Sequence, residues 1–215
     1  RNQNGDGIRR LYMYAQLIMA ISGNEGSYAT TGTPEKFWAK WEEKFTKKDE
    51  EDNHQSKLYA LKNQKLSDDN KKELFSARYY YVKKFFDELE QEEIQPTVQD
   101  EYLFNLCRPE RLLDLSFNFI LFDNGDKKIA RYQQFFAIKK AIKQITKPTT
   151  SKNQQRLGGV VWHTQGSGKS LTMVMLAQAI AMHPSIKNPK IVLVTDRTDL
   201  DRQITSTFDK CDKDV

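Results

Sequence analysis

The sequence predicts an α/β fold: a parallel sheet with flanking helices in its second half, preceded by a mixed α+β segment. Three observations predict it. A short apolar run, Gly159-Val160-Val161-Trp162, leads into a glycine-rich turn and then into a helical pattern. A second, almost continuous apolar run, Lys190-Ile191-Val192-Leu193-Val194-Thr195, reads as a strand covered on both faces, as in parallel sheets. A further helical pattern starts near Thr198. Strand, loop, helix, strand, helix is the opening of a doubly wound domain.

Composition allows a packed core. Hydrophobic residues make up 38% of the 215 residues, and 12 Phe, 9 Tyr and 3 Trp supply large apolar area. No apolar run approaches the ~18 residues of a membrane span, and residues 1–7 lack the apolar core of a signal peptide. Cys107 and Cys211 lie far apart and match no metal spacing, and His54, His163 and His183 form no ligand cluster. A reducing, cytoplasmic setting without a disulfide framework is the expectation. A net charge of +5, from 34 basic and 29 acidic residues, leans mildly toward anionic partners such as nucleic acid. The first residue is not Met and the last ones follow closely on a predicted helix, so the sequence reads as a piece of a longer protein.

Taken in order, residues 16–21 are a strand candidate, residues 22–26 are turn-rich, and residues 27–31 are the returning strand. Thr33 and Pro34 then read as the cap and first position of a helix that carries Phe37, Trp38, Trp41 and Phe45 toward a core. Residues 47–52 read as a solvated loop. A long helix is predicted over 67–93, capped by Ser67, with Asp68 and Asp69 at its positive end. Leu74, Ala77, Tyr81, Phe85 and Leu89 are its buried stripe, and Pro96 follows its end.

Residues 100–122 have further helical character, with Leu103, Leu106, Leu112, Leu113, Phe117 and Ile120 as packing candidates. Asn124-Gly125-Asp126 is a turn signal and the best candidate domain boundary. Residues 128–145 form an amphipathic helix with Ile129, Tyr132, Phe135, Ile138, Ile142 and Ile145 on one side, followed by a polar linker over 147–153. Residues 170–182, after the glycine turn, read as a helix on which Met173, Leu176, Ala177 and Ile180 recur at helical spacing. In the last helix Thr198 and Asp201 are an acidic analogue of a capping box.

The chemistry sits at Gly166-Ser167-Gly168-Lys169-Ser170. Backbone N–H groups can surround phosphate oxygens only where the chain turns tightly with no side chain in the way, and Gly166 and Gly168 meet that need. The helix from Ser170 adds its positive end. Lys169 supplies a point charge for terminal phosphates, and the Ser170 hydroxyl is a hard oxygen ligand suited to Mg²⁺. The general phosphate-loop pattern asks for glycine where His163 stands. His163 either lines the pocket or replaces a glycine where the backbone allows it.

Residues 158–173, Gly158-Gly159-Val160-Val161-Trp162-His163-Thr164-Gln165-Gly166-Ser167-Gly168-Lys169-Ser170-Leu171-Thr172-Met173, resemble the first ATPase motif of the R subunit of type I restriction enzymes, in which His-Thr-Gln precedes the glycine turn. Residues 194–203, Val194-Thr195-Asp196-Arg197-Thr198-Asp199-Leu200-Asp201-Arg202-Gln203, resemble that family's next motif. Ile129-Ala130-Arg131-Tyr132-Gln133-Gln134-Phe135-Phe136-Ala137 is similar to its Arg-Tyr-x-Gln segment. Residues 111–115 and 119–122 resemble the family too, and the likeness extends more weakly to residues 12–41.

The resemblance implies a nuclease domain followed by two RecA-like domains of helicase superfamily 2, the translocation of double-stranded DNA by ATP hydrolysis, and partner methylation and specificity subunits. By it, residues 1–105 are the end of the endonuclease-like domain plus a helical insertion. Residues 106–215 are the first half of the first RecA-like motor domain. Gln134 becomes the adenine-reading residue. Thr164, Gln165, Gly166, Ser167, Gly168, Lys169, Ser170 and Leu171 form the ATP-binding loop, with Lys169 and Ser170 catalytic and Ser170 on Mg²⁺. Arg197 becomes a DNA-backbone contact, for which an ordinary helix cap with a surface arginine is the plain alternative. The metal-dependent nuclease residues, the Asp-Glu acid pair and the second motor domain are expected outside this sequence, so nucleotide binding without useful hydrolysis is the expectation for the chain alone. Two rivals remain at this point: another superfamily 2 helicase or remodeller, and a non-catalytic nucleotide-binding assembly module. A P-loop kinase or GTPase fits poorly, because those lack an adenine-reading segment upstream, and a GTPase would need a guanine-reading motif that is not found.

Overall fold

The described strands form two short pairs, and neither pair is parallel to a third strand. The structure is a computed structural model that describes residues 9–12, 14–75, 80–147 and 158–211. Its chain contacts divide it into two units. One comprises residues 1–20, 27–43 and 109–215, and the other comprises residues 21–26 and 44–108. Ala77, residues 148–153 of the expected linker and residues 1–7 lie outside the described residues.

The short helix α1 (Arg9–Tyr12) precedes β1 (Ile18–Ile21), which pairs with β2 (Gly26–Ala29), as the strand, turn and returning strand read over residues 16–31 predict. The helix expected from Pro34 is a single 3-10 turn, Glu35–Phe37. Beyond it the chain extends, and Ala39 exchanges both backbone hydrogen bonds with Tyr28, at 2.8 and 2.9 Å. Extension carries Trp41 into the core, edge-on to Tyr28 at 5.7 Å and to Phe135 at 5.5 Å. Phe37 stays half exposed, so the aromatic period is met by tertiary packing and not by a helix.

Helix α6 (Pro109–Asn118) runs into β3 (Ile120–Asp123), which pairs antiparallel with β4 (Asp126–Ile129). Asn124 at φ 53° and Gly125 at φ 86° make the tight turn between them. The predicted boundary is thus a hairpin turn, with its Asn124 N–H bonded to the Lys210 carbonyl. The predicted helix over 128–145 begins later, as α7 (Tyr132–Ile145), because Lys128 and Ile129 are taken by the hairpin. Leu115, Phe119, Leu121, Phe135 and Ile138 are buried, whereas Leu113 and Phe117, two of the packing candidates, are exposed. Helix α8 (Lys169–Ala181) packs against α7 and α9 (Thr198–Lys210), and its Val174 and Met175 are buried. Each such side chain contributes about 1.5–3 kcal/mol of burial. Met173, on the same helix, is partly exposed.

The expected parallel sheet is absent from the described residues. Residues 159–162 and 190–195 are in no helix or strand, and Val160, Trp162 and Val194 are 95%, 81% and 89% exposed. The physical reason lies in the nature of a strand. Apolar composition prepares it for burial, but its N–H and C=O groups are satisfied only by neighbouring strands. Such neighbours do not occur among the described residues.

The second unit is helical apart from the hairpin tip. Here α2 (Lys48–Lys62) occupies the region expected to be a loop at 47–52, its first turn bearing Asp49, Glu50 and Glu51 where the helix end is positive. The single long helix expected over 67–93 is two. Helix α3 (Asp68–Leu74) is capped by Ser67 Oγ, which accepts from the Asn70 N–H as predicted, and α4 covers Tyr80–Leu89. The expected stripe is not buried, since Leu74, Tyr81 and Phe85 are all more than half exposed. Periodicity marks an apolar face but not what covers it. Helix α5 (Val98–Leu106) begins with a capping box between Thr97 and Asp100 and buries Tyr102, whose hydroxyl donates to the Gly26 carbonyl at 2.6 Å. Burial pushes the Cys107 thiol pKa up.

Candidate functional site

The glycine turn is closed from within and held from outside. The Ser167 N–H and hydroxyl both donate to the Thr164 carbonyl, at 3.4 and 2.7 Å. Gly166 at φ 77° and Gly168 at φ 81° adopt left-handed backbone that glycine accepts at no steric cost. Helix α8 starts immediately afterwards at Lys169.

The outside hold comes from Gln134, on the first turn of α7 and almost fully buried. Its Oε1 accepts the Arg131 N–H at 2.9 Å, which caps α7. Its Nε2 donates to the Gly168 carbonyl at 3.0 Å and lies 3.2 Å from Thr172 Oγ1 and 3.4 Å from the Ser167 carbonyl. The Thr172 hydroxyl in turn donates to the Gly168 carbonyl at 3.0 Å. A Cβ on Gly168 would come within 2.8 Å of Gln134 Nε2 and push that amide from its place, on top of the strain of a side chain at φ 81°.

Of the residues singled out in the sequence, Gly166, Ser167, Gly168, Leu171 and Gln134 border one cavity of about 350 Å³. Lys169 is exposed at the start of α8, Ser170 is half-buried beside it, and Thr164 and Gln165 are exposed on the turn. Arg197 stands apart from this cavity, exposed at the N-cap of α9. The capping box expected from Thr198 and Asp201 does not form. Thr198 is already the first helical residue, and the Asp201 carboxylate accepts instead from Thr195 Oγ1 at 3.3 Å. His163 is half-buried, and its Nδ1 has no hydrogen-bond partner among the described residues.

The opposite wall of the cavity was not legible in the sequence. It is residues 28–39, chiefly Gly32, Thr33, Pro34 and Phe37. The Gly32-Thr33-Pro34 signal was visible but read as a helix start, and local sequence holds no record of a neighbour more than a hundred positions away. Thr172, which bridges Gln134 and Gly168, was likewise missed, although its place one turn into the helix was a usable signal.

Residues 133–215, the stretch holding the glycine turn, match the family model of the SWI2/SNF2 ATPase. The chain is 44% identical over 111 residues to the type I restriction enzyme HindI endonuclease subunit of Haemophilus influenzae, covering 49% of this chain and 10% of that protein. It is 29% identical over 210 residues to the putative type I restriction enzyme MjaIXP endonuclease subunit of Methanocaldococcus jannaschii, covering 94% of this chain and 17% of that protein. The chain is related to the endonuclease (R) subunits of type I restriction enzymes. A Staphylococcus aureus subunit of the same kind, SauCOLORF180P, is 32% identical over 108 residues, 49% of this chain and 11% of its own length. The chain therefore spans less than a fifth of the length of these relatives. No solved structure matches. Among the described residues no helix is long and apolar enough to cross a membrane, and no group of three or more His, Cys, Asp or Glu could hold a metal ion.

Proposed function

We propose that this chain carries the ATP-binding loop of a type I restriction motor subunit. In the complete protein, ATP hydrolysis would drive translocation along double-stranded DNA ahead of cleavage, together with methylation and specificity subunits. The observation that carries the reading is the closed turn from Thr164 to Gly168, set at the start of α8 and opening on a cavity.

Each residue has a physical part in that reading. Gly166 and Gly168, with Ser167 between them, turn backbone N–H groups toward a phosphate tail, and the first turn of α8 adds its own free N–H groups. Lys169, exposed at that helix start, neutralises the terminal phosphates. Mg²⁺ is held by few protein ligands plus phosphate oxygens, and the half-buried Ser170 hydroxyl fits as one of them. When bound, the ion neutralises charge on the phosphates. Gln134 borders both turn and cavity, so an adenine there would meet its amide in exchange for the bond now made to Gly168. The exposed runs 159–162 and 190–195 would be strands of the RecA-like sheet, and Arg197 would hold a DNA phosphate at the start of α9. Such an enzyme acts in the cytoplasm, where its DNA lies.

The test is Lys169→Ala in the complete subunit with its partners, followed by ATP affinity, DNA-stimulated ATP hydrolysis and DNA cleavage. Loss of all three supports the assignment, and unchanged activity sinks it. A second reading, a remodeller-type motor without nuclease, is favoured by the SWI2/SNF2 match over residues 133–215. ATP-dependent DNA movement with no cleavage under any condition would select it.

A further inference from the structure

We propose that residues 31–37 form the base-binding wall of the nucleotide site, with the base of ATP packed against the Phe37 ring. This rests on the phosphate-loop reading above and names what holds the other end of the nucleotide. The cavity is shared between Gly166, Ser167 and Gly168 on one side and Gly32, Thr33, Pro34 and Phe37 on the other. A triphosphate anchored on the turn projects its nucleoside into that space. At about 350 Å³ the volume lies within the ~300–1,000 Å³ of small-molecule sites.

The wall is built into the same core as the helix that supports the phosphate loop. The Tyr28 hydroxyl donates to the Ala130 carbonyl at 2.8 Å, two residues before α7 begins, and Tyr28 is fully buried. The Thr30 hydroxyl donates to the Lys127 carbonyl on β4. Trp38 Nε1 donates to the Thr33 carbonyl at 3.1 Å, which fixes the turn around Gly32, itself at φ 84°. On this rigid support Phe37 is 54% exposed at the cavity, with Lys36 Nζ 4.9 Å from the ring centroid. A half-exposed aromatic ring beside a phosphate loop is a surface for a flat base, which would stack on the side that Lys36 does not cover. Gln134 cannot hold the base alone while its Oε1 caps α7 and its Nε2 holds Gly168.

The experiment measures binding of ATP, inorganic tripolyphosphate and the triphosphate of 2-aminopurine riboside to the full chain, each with Mg²⁺. Phe37→Ala should weaken ATP about tenfold, a fold-change in keeping with base–aromatic stacking, while leaving tripolyphosphate unchanged. The stacking quench of 2-aminopurine fluorescence should disappear with it, and Phe37→Tyr should restore both. Unchanged ATP affinity in Phe37→Ala, or an equal loss for tripolyphosphate, overturns the base-wall assignment and leaves the phosphate loop standing. If the native chain binds neither ATP nor tripolyphosphate, both assignments fall together.

Discussion

The Gln134 side-chain amide donates to the Gly168 carbonyl at 3.0 Å, joining the first turn of α7 to the last residue before α8. The same side chain accepts the Arg131 N–H, so one buried glutamine caps one helix and sets the entry to the next. An amide does both without depending on its protonation state, since one end accepts and the other donates.

That requirement makes Gln134→Glu informative. The carboxylate keeps the bond from Arg131 but turns an acceptor toward the Gly168 carbonyl. ATP affinity is expected to fall about tenfold, one hydrogen bond to a buried carbonyl lost and a repulsion added. Burial raises the pKa of the new carboxyl, and its protonated form can donate again. Calorimetry should therefore find a smaller defect relative to native protein at pH 5 than at pH 8. A pH-independent defect would contradict this account.

Arg111 and Glu43 form a bidentate ion pair at 2.8 and 3.2 Å, each side chain only 11% exposed. The guanidinium also lies 4.7 Å from the Phe135 ring centroid and 5.0 Å from that of Trp41. Removing one partner leaves a buried charge beside those rings, at a cost of about 3–5 kcal/mol. Arg111→Ala should therefore lower the denaturation midpoint markedly, whereas replacing both partners with apolar residues should recover much of the loss. A double variant no more stable than Arg111→Ala would show that the pairing is not the source of the effect.

Lys71 on α3 meets Glu90 at 2.7 Å and Asp87 at 2.9 Å. The hydrogen bond from Lys71 is the main cause holding the Glu90 carboxyl below its ordinary value, and Glu90 and Asp87 together raise the Lys71 pKa. A depressed carboxylate contributes stability above its unfolded value that is lost as pH falls through the folded one. A raised lysine contributes stability below its unfolded value that is lost as pH rises through the folded one. The link between α3 and α4 is therefore expected to hold across neutral pH and to loosen at both extremes. An NMR titration of the Glu90 carboxyl should place its midpoint below that of free glutamate, and Lys71→Met should bring it back up.

Some of this was written in the chain order. Gly166, Gly168 and the helix after them could be read directly, because left-handed backbone and helix starts depend on neighbours a few residues away. Ser67 as a cap and Asn124-Gly125 as a turn are legible for the same reason. The two apolar runs at 159–162 and 190–195 show the limit. Their composition specifies strands, yet a strand exists only through hydrogen bonds to another one.

The sequence by itself determined the glycine turn, the amphipathic helix α7, the helix α8 after the turn, and the kinship with restriction subunits, all of which rest on local spacing. Tertiary structure alone decided that Trp41 leaves a helical period to pack between Tyr28 and Phe135, that Gln134 grips Gly168, and that Phe37 faces the same cavity as the loop. Those relations join residues tens to more than a hundred positions apart. Packing and hydrogen-bond satisfaction settle them by comparing whole arrangements, and no short window of sequence contains that comparison.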